Sequence, residues 1–313
     1  MTAKPFIKWV GGKNQLIEQL DQLLPDNFEG LENVMYIEPF LGGGAMLFYM
    51  LQKYSNITTA IVNDINPDLT NCYQVVRDYP DELVNILSQL QEEFHKLNSE
   101  EERKEYYLIK RSEYNTKNVE QVRNAALFIF LNKTCFNGLY RVNKKGIFNV
   151  PFGRQTKPTI CDSKTIYADS ALLKRVKILT GSYTETIEHA HGNVLFYFDP
   201  PYRPLNATSS FNDYAKEEFN DAAQTALKEF CDLVHEKGYY FMLSNSDCSS
   251  ANPNDTFFED LYLPSGEYNM ERVLAARSIN SVGSKRGKIT EIVVRNYSTT
   301  NSQSQNKQQL SLF

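Results

Sequence analysis

The chain has little of what marks a secreted, membrane-spanning or metal-built protein. Its 313 residues hold five cysteines, Cys72, Cys135, Cys161, Cys231 and Cys248, with no paired or metal-ligand spacing. That excludes a disulfide framework and a zinc knuckle, and it predicts reduced thiols in a reducing compartment. The four histidines form no ligand cluster, and His189 and His191 flank a polar loop where solvation is expected. No metal is expected. No apolar run approaches the ~20 residues that a membrane helix needs, and the N-terminus lacks the apolar core of a secretory signal. A cytoplasmic protein with no membrane partner is expected.

Acidic residues are missing from two windows. The formal net charge is −5, low for a protein that binds nucleic acid. Between Glu120 and Asp162, however, there is no acid, while Arg123, Lys133, Arg141, Lys144, Lys145, Arg154 and Lys157 fall there. A second acid-free window between Glu271 and Glu291 holds Arg272, Arg277, Lys285, Arg286 and Lys288. One such run is usually a solvated face; two better fit the sides of a phosphate-binding cleft. The acids gather instead at 81–120, where Glu92, Glu93, Glu100, Glu101, Glu102 and Glu105 predict exposed helical faces turned away from such a ligand.

What is present is enough apolar residue, 42%, to bury one sizeable core and a smaller module. The apolar run Asn193-Val194-Leu195-Phe196-Tyr197-Phe198 reads as a buried strand, and Asp199-Pro200-Pro201-Tyr202 follows it. Two prolines fix φ and remove two backbone donors, leaving rigid carbonyls beside a carboxylate and an aromatic face. An exocyclic amine on a nucleobase fits that clamp. Its two N–H groups would be accepted by the Asp199 carboxylate and the Pro200 carbonyl, and Tyr202 would hold the base by its face. Taken alone, the tetrapeptide could also be a plain turn with two prolines.

Upstream, Val34-Met35-Tyr36-Ile37-Glu38 reads as a strand that runs into Pro39-Phe40-Leu41-Gly42-Gly43-Gly44-Ala45 and an apolar helix. The glycines let a ligand approach the backbone. A following strand, Thr59-Ala60-Ile61-Val62-Asn63, delivers Asp64 about 20 residues later, the place from which a carboxylate binds ribose hydroxyls in a nucleotide-binding α/β sheet. This pair could equally serve a nicotinamide dinucleotide. The Asp-Pro-Pro-Tyr clamp decides against it, since hydride transfer has no use for one.

Together these motifs resemble the amino-methyltransferases that use S-adenosyl-L-methionine, and further segments narrow the likeness to the DNA adenine methyltransferase (Dam) family, of the alpha group and D12 class. Phe6-Ile7-Lys8-Trp9-Val10-Gly11-Gly12-Lys13 looks like that family's N-terminal cofactor motif, before a helix expected near Asn14. Phe136-Asn137-Gly138-Leu139-Tyr140-Arg141-Val142-Asn143, with Phe148-Asn149-Val150-Pro151-Phe152-Gly153-Arg154, is similar to its target-recognition hairpin. Leu243-Ser244-Asn245-Ser246 and the stretch from Arg277 to Lys288 resemble its later motifs. The likeness runs from about Phe6 to Tyr297. One position departs: Ser182, in Leu179-Thr180-Gly181-Ser182-Tyr183, stands where many relatives place an aspartate near the cofactor adenine.

The resemblance implies a catalytic set of Asp199, Pro200, Pro201 and Tyr202. It implies that S-adenosyl-L-methionine is held by Trp9, Lys13, Glu38, Pro39 and Phe40, by Gly42, Gly44 and Asp64, and by Ser182, Tyr183 and Asp199, with Lys13 at its methionine end. It implies double-stranded DNA as substrate and GATC as the site. Phe136 would wedge into the duplex, Asn137 meet the orphaned base, and Arg141 read a guanine. Leu139 and Pro151 would touch a thymine methyl, and Lys8 the outer guanine. Lys133, Asn143, Arg154, Lys285 and Arg286 would also contact DNA. For Phe136 and Leu139, packing inside the hairpin is the competing role.

The expected architecture is α/β, a doubly wound Rossmann-like methyltransferase sheet with an inserted helical DNA-recognition domain carrying a β-hairpin. Strands are expected to end near Glu38, Asp64, Leu179, Phe198 and Leu243, with a last strand from Ile289 to Val294. Residues 66–119 read as wholly helical, with Leu83, Ile86, Leu87 and Leu90 on one apolar face. The expected domains are 1–64, catalytic; 65–162, recognition; 163–297, catalytic; and 298–313, a disordered tail. That tail ends in Gln309-Leu310-Ser311-Leu312-Phe313, similar to the short motif that binds the bacterial DNA polymerase sliding clamp. Gln309, Leu310, Leu312 and Phe313 would make the contact, unless the tail packs on its own domain. A cognate restriction endonuclease is a further partner this family allows. The competing classes are a cytosine-N4 or RNA methyltransferase, a nicotinamide oxidoreductase and a non-catalytic DNA-binding protein.

Overall fold

The computed structural model describes residues 2–13, 15–205, 219–276 and 288–299. Seven strands are β1 (Val34–Glu38), β2 (Ile57–Asp64), β3 (Val176–Thr180), β4 (Val194–Phe198), β5 (Tyr240–Ser246), β6 (Asn269–Ala276) and β7 (Lys288–Arg295). They form one mixed sheet in the order β3-β2-β1-β4-β5-β7-β6. The order reverses at β1 and β4, the switch point beyond which doubly wound sheets bind ligands. Every residue of β1 and β4 is buried, which is why β4, and β1 up to its last residue Glu38, read as apolar runs. They pair in parallel, Tyr36 opposite Leu195 and Ile37 opposite Phe196, so the two strands end at the same edge of the sheet, with Glu38 the last residue of β1 and Asp199 the first after β4.

Three expected strand ends, Glu38, Asp64 and Phe198, fall as read, whereas β3 and β5 run on to Thr180 and Ser246. Sequence pattern does not mark β6. It carries Glu271 and Arg272, and its neighbour β7 buries Arg295 completely. Arg295 is paired with Glu271 and donates to the Leu23 carbonyl, so Glu271 of β6 serves a buried partner on β7 and breaks the apolar alternation by which strands are recognised. β7 lies antiparallel to both β5 and β6.

Two compact units divide the chain, one of Met1–Gly12, Leu41–Ser55 and Val62–Tyr183, the other of Lys13–Phe40, Asn56–Ile61 and the described residues from Thr184 onward. The first holds α2 (Ala45–Lys53), α3 (Pro67–Asp78), α4 (Pro80–His95), α5 (Glu100–Asn115), α6 (Gln121–Thr134) and α7 (Ser163–Leu173). Local chemistry starts these helices. Asn66 accepts from the Asp68 and Leu69 N–H groups with Pro67 in the first turn, and Ser99 with Glu102 closes a capping box on α5. α4 buries Leu83, Leu87, Leu90 and Phe94 on one face. α6 is buried from Ala125 through Asn132 and packs against α3, α4 and α5, as a helix apolar nearly all round must. Glu92, Glu100, Glu101, Glu102 and Glu105 are exposed, and Glu93 is half-buried under the Tyr106 hydroxyl.

In the second unit, α1 (Ile17–Asp21) begins where the Lys13 carbonyl accepts from Leu16 and Ile17, a little later than the helix expected at Asn14, itself outside the described residues. α8 (Asp221–Glu236), capped by Asn220, packs Leu227, Phe230 and Val234 inward and lies on β5. No described helix is long and apolar enough to cross a membrane.

Candidate active site

The chain leaves β4 at fully buried Phe198, and Asp199 is the first residue with solvent access. Its Oδ1 lies 2.9 Å from Nζ of Lys13, an ion pair whose lysine is almost wholly buried. Nζ also sits 4.4 Å from the centre of the Tyr202 ring, so one ammonium is shared between a carboxylate and an aromatic face. Burial pushes the Asp199 carboxyl above the usual carboxylate range, the Lys13 charge pulls it back, and Glu291 adds to the rise. Next to it at the end of β1, buried Glu38 accepts from the Tyr36 hydroxyl at 2.9 Å. Pro39 is buried, and Phe40 packs edge-on to Phe219.

The loop after Asp199 is fixed by side chains from two other elements. Gln224 on α8 donates Nε2 to the Pro201 carbonyl at 3.0 Å, and Asn245 on β5 donates Nδ2 to Gln224 at 3.0 Å. The Asn245 Oδ1 accepts from the Arg203 N–H at 3.1 Å, while Ser246 donates its hydroxyl to the Arg203 carbonyl at 2.6 Å. Gln224 and Asn245 are 1% and 0% exposed, so water cannot replace these bonds. The Arg203 side chain is anchored by Asp221 and Asp255. The Pro201 carbonyl is thus used inside the protein.

In the other unit, the glycine turn is closed by Asp64, whose Oδ2 accepts from Gly42 N–H at 3.0 Å and Oδ1 from Asn66 N–H at 2.9 Å. Burial raises the Asp64 carboxyl, and the N–H groups of Asn66, Gly42 and Ile65 oppose the rise. Gly42 has φ +49°, and a Cβ there would stand 2.9 Å from Cδ1 of Trp9, so only glycine lets the indole lie over the turn. Tyr73 donates to the Gly42 carbonyl at 3.1 Å, and Gly44 caps α2. Trp9 stacks on Phe128 and Tyr140. Ser182 is exposed, and Tyr183 opens a short 3-10 helix, Tyr183–His189.

The sequence pattern of the family described as D12 class N6 adenine-specific DNA methyltransferase matches residues 9–279. The Type II methyltransferase M.MjaIII of Methanocaldococcus jannaschii is 47% identical over 95% of this chain and 100% of that protein. The Type II methyltransferase M1.LlaDCHI of Lactococcus lactis subsp. cremoris is 37% identical over 95% and 96% of the two chains. The DNA adenine methylase of Escherichia coli (strain K12) is 30% identical over 93% and 94%. The chain belongs to the D12 class of N6 adenine-specific DNA methyltransferases. It is an enzyme that methylates adenine in DNA, and DNA is its partner.

In this methyltransferase the segment 136–154, expected as a β-hairpin, has no regular strand. Two isolated antiparallel bridges, Cys135 to Phe152 and Val142 to Phe148, fold it back on itself. The reason is competition for its backbone. Tyr107 and Arg111 of α5 donate to the Val150 carbonyl, and Asn115 bonds both the N–H and the carbonyl of Phe148. Side chains of a helix thus take the place of ladder bonds. Asn143, expected on DNA, accepts from the Lys145 and Ile147 N–H groups and so also shapes the turn. Arg141 is exposed, with Nε donating to Asn149 at 2.8 Å.

Phe136 is 51% exposed, whereas Leu139 is half-buried. Asn137, Pro151, Arg154 and Lys8 are exposed, and Lys133 is half-buried. Arg154 lies 3.3 Å from Glu100 on the surface. Lys285, Arg286, Gln309, Leu310, Leu312 and Phe313 lie outside the described residues. Sequence reasoning missed Asn132. It is buried on α6, accepts from Lys8 N–H, and donates to the carbonyls of Lys8 and Gly138, tying the N-terminal motif to the start of the recognition segment. Its signal was a polar residue inside an apolar helix. Gln224 and Glu291 were missed as well, because their partners are distant in sequence.

Proposed function

We propose that this methyltransferase flips adenine out of duplex DNA at GATC and methylates N6 with S-adenosyl-L-methionine. The observation that carries the reading is the Asp199 carboxylate, placed at the end of a buried strand with an ammonium and an aromatic face against it. A cation already fits there, and an adenine nitrogen becomes cationic as it takes up a methyl group. In the reading, Asp199 and the Pro200 carbonyl accept the two amine N–H bonds and Tyr202 holds the base face. Proline leaves the loop few ways to relax, so this alignment costs little at the moment of reaction.

The residues present fit the cofactor by their chemistry. Asp64, with its carboxylate held by backbone N–H groups, suits ribose hydroxyls, and the Lys13 ammonium suits the carboxylate of the methionine end. Trp9, Glu38, Pro39, Phe40, Gly42, Gly44, Ser182 and Tyr183 complete the proposed set. When bound, S-adenosyl-L-methionine supplies a methyl group activated by a positively charged sulfur.

Flipping costs a few kcal/mol of pairing and stacking. An exposed apolar ring at Phe136 supports a wedge role, with Asn137 at the orphaned base. Arg141 is proposed to read guanine through O6 and N7, Leu139 and Pro151 a thymine methyl, and Lys8 the outer guanine. Lys133, Asn143, Arg154, Lys285 and Arg286 are proposed DNA contacts, and residues 65–162 the recognition module. The test is methyl transfer from labelled S-adenosyl-L-methionine to duplexes with GATC intact or scrambled, with digested nucleosides read by mass spectrometry. N6-methyladenine confined to GATC is the expected result; equal transfer to both removes the specificity.

Gln309 to Phe313 are proposed to bind the sliding clamp and so raise the local concentration of enzyme on replicating DNA. Removing them should abolish co-migration with the clamp and spare activity on oligonucleotides; retained co-migration rejects the idea. Two of the relatives are named Type II methyltransferases, which supports a cognate restriction endonuclease as a further partner. If so, plasmid modified by this enzyme resists an endonuclease that cuts the same site.

A further inference from the structure

Glu291 belongs to no motif of the sequence, yet it touches the catalytic tetrapeptide. Its backbone is held from both sides, since β7 pairs Glu291 with Ser246 of β5 and with Val273 of β6. From that fixed base its Oε2 accepts the Tyr202 hydroxyl at 2.6 Å. A carboxylate acceptor makes this one of the stronger kinds of hydrogen bond.

Its geometric consequence follows from where the hydroxyl sits. The oxygen lies on the long axis of the ring, so a bond there fixes the direction of that axis, which is set by χ1. Rotation about χ2 leaves the oxygen in place. The backbone at the foot of the side chain is already anchored, through the Pro201 carbonyl and both polar groups of Arg203. Tyr202 is therefore pinned at both ends. The bond to Glu291 fixes the ring axis, and Lys13 Nζ, 4.4 Å from the ring centre, lies against its face while the same nitrogen contacts Asp199.

We propose that Glu291 is a positioning residue for methyl transfer, holding the Tyr202 ring so that its face stays beside the Asp199 carboxylate. This rests on the reading in which those two residues hold the adenine. With Glu291 truncated, the ring axis swings on χ1, and the platform is correctly placed for only part of the time. The loss falls on the chemical step rather than on binding of DNA or methyl donor.

The test uses the full chain, duplex DNA and S-adenosyl-L-methionine, and measures kcat and KM for Glu291→Leu, Glu291→Gln, Tyr202→Phe and the Leu/Phe double variant. Glu291→Leu and Tyr202→Phe are expected to lower kcat by a similar factor, about tenfold for one lost bond to a charged group. The double variant should be no worse than either single one, because the same interaction is removed twice. Glu291→Gln, which keeps an acceptor, should recover most of the rate, with KM values within about twofold of wild type. Losses that multiply in the double variant, or that fall on KM, overturn the proposal. Should Glu291→Leu not fold, Tyr202→Phe decides, since it removes the hydroxyl without touching β7: an unchanged kcat overturns the role. Asp199→Ala in the same assay checks the underlying reading separately, because turnover surviving there removes that reading and not merely Glu291.

Discussion

The ammonium of Lys13 stands 2.9 Å from the carboxylate of Asp199 and over the ring of Tyr202. Burial raises the Asp199 carboxyl and Lys13 opposes the rise, so the two effects can be separated by mutation. In the proposed reading Asp199 accepts the amine N–H, which the ionised carboxylate does more strongly than the neutral acid, so turnover should climb with pH through an acid limb lying above the ordinary carboxylate range. Removing the opposing charge in Lys13→Gln should move that limb to still higher pH. The measurement is kcat against pH for both proteins; a limb that stays in place assigns it to another group.

Asp169 should make stability fall with rising pH. It is completely buried on α7, with one oxygen accepting from Lys4 N–H and the other lacking a partner among the described residues. Burial raises its carboxyl to about 8; Asp162 adds to the rise, while the Lys4 N–H and the Lys4 and Lys133 charges oppose it. A raised pKa means that the folded state holds the proton more tightly than the unfolded chain. The stabilisation is therefore full below the unfolded value and is lost as pH rises through about 8. Asp169→Asn should match wild type only in acid, near the unfolded carboxyl value, and melt at a progressively higher temperature than wild type as pH rises toward about 8. Parallel melting curves across that range would exclude it.

Gln224→Leu should loosen the catalytic loop. It leaves the Pro201 carbonyl and the Asn245 amide without their buried partner, at a cost of ~1–3 kcal/mol for each group so exposed to no bond. Thermal melting should register the loss in stability. Because the loop also presents Asp199, kcat should drop more than KM rises, and an unaltered kcat would show that the relay serves stability alone.

Arg141→Ala should relax sequence choice, costing ~1–3 kcal/mol of discrimination at one base pair. Its guanidinium is steadied by Asn149, so Asn149→Ala should produce a weaker form of the same change. Competition between GATC duplexes and duplexes carrying one altered base pair measures both. A uniform drop in affinity with unchanged preference would mean that Arg141 only meets phosphate.

Local pattern was enough to determine the strands whose ends carry chemistry. β1 and β4 are buried on both faces, so their sequences are apolar until a charged residue closes each run, Glu38 as the last of β1 and Asp199 just after β4. The glycine turn before α2 and the Asp-Pro-Pro-Tyr clamp were legible for the same reason: each depends on neighbours within a few residues. Only the tertiary structure decided which distant polar groups hold those pieces. β6 hid behind its charged residues, the recognition segment surrendered its ladder bonds to α5, and Asn132, Gln224, Asn245 and Glu291 take their roles from partners far away in the chain. A hydrogen bond between remote side chains leaves no period in the sequence. It exists only once packing has removed water and left each donor a single acceptor.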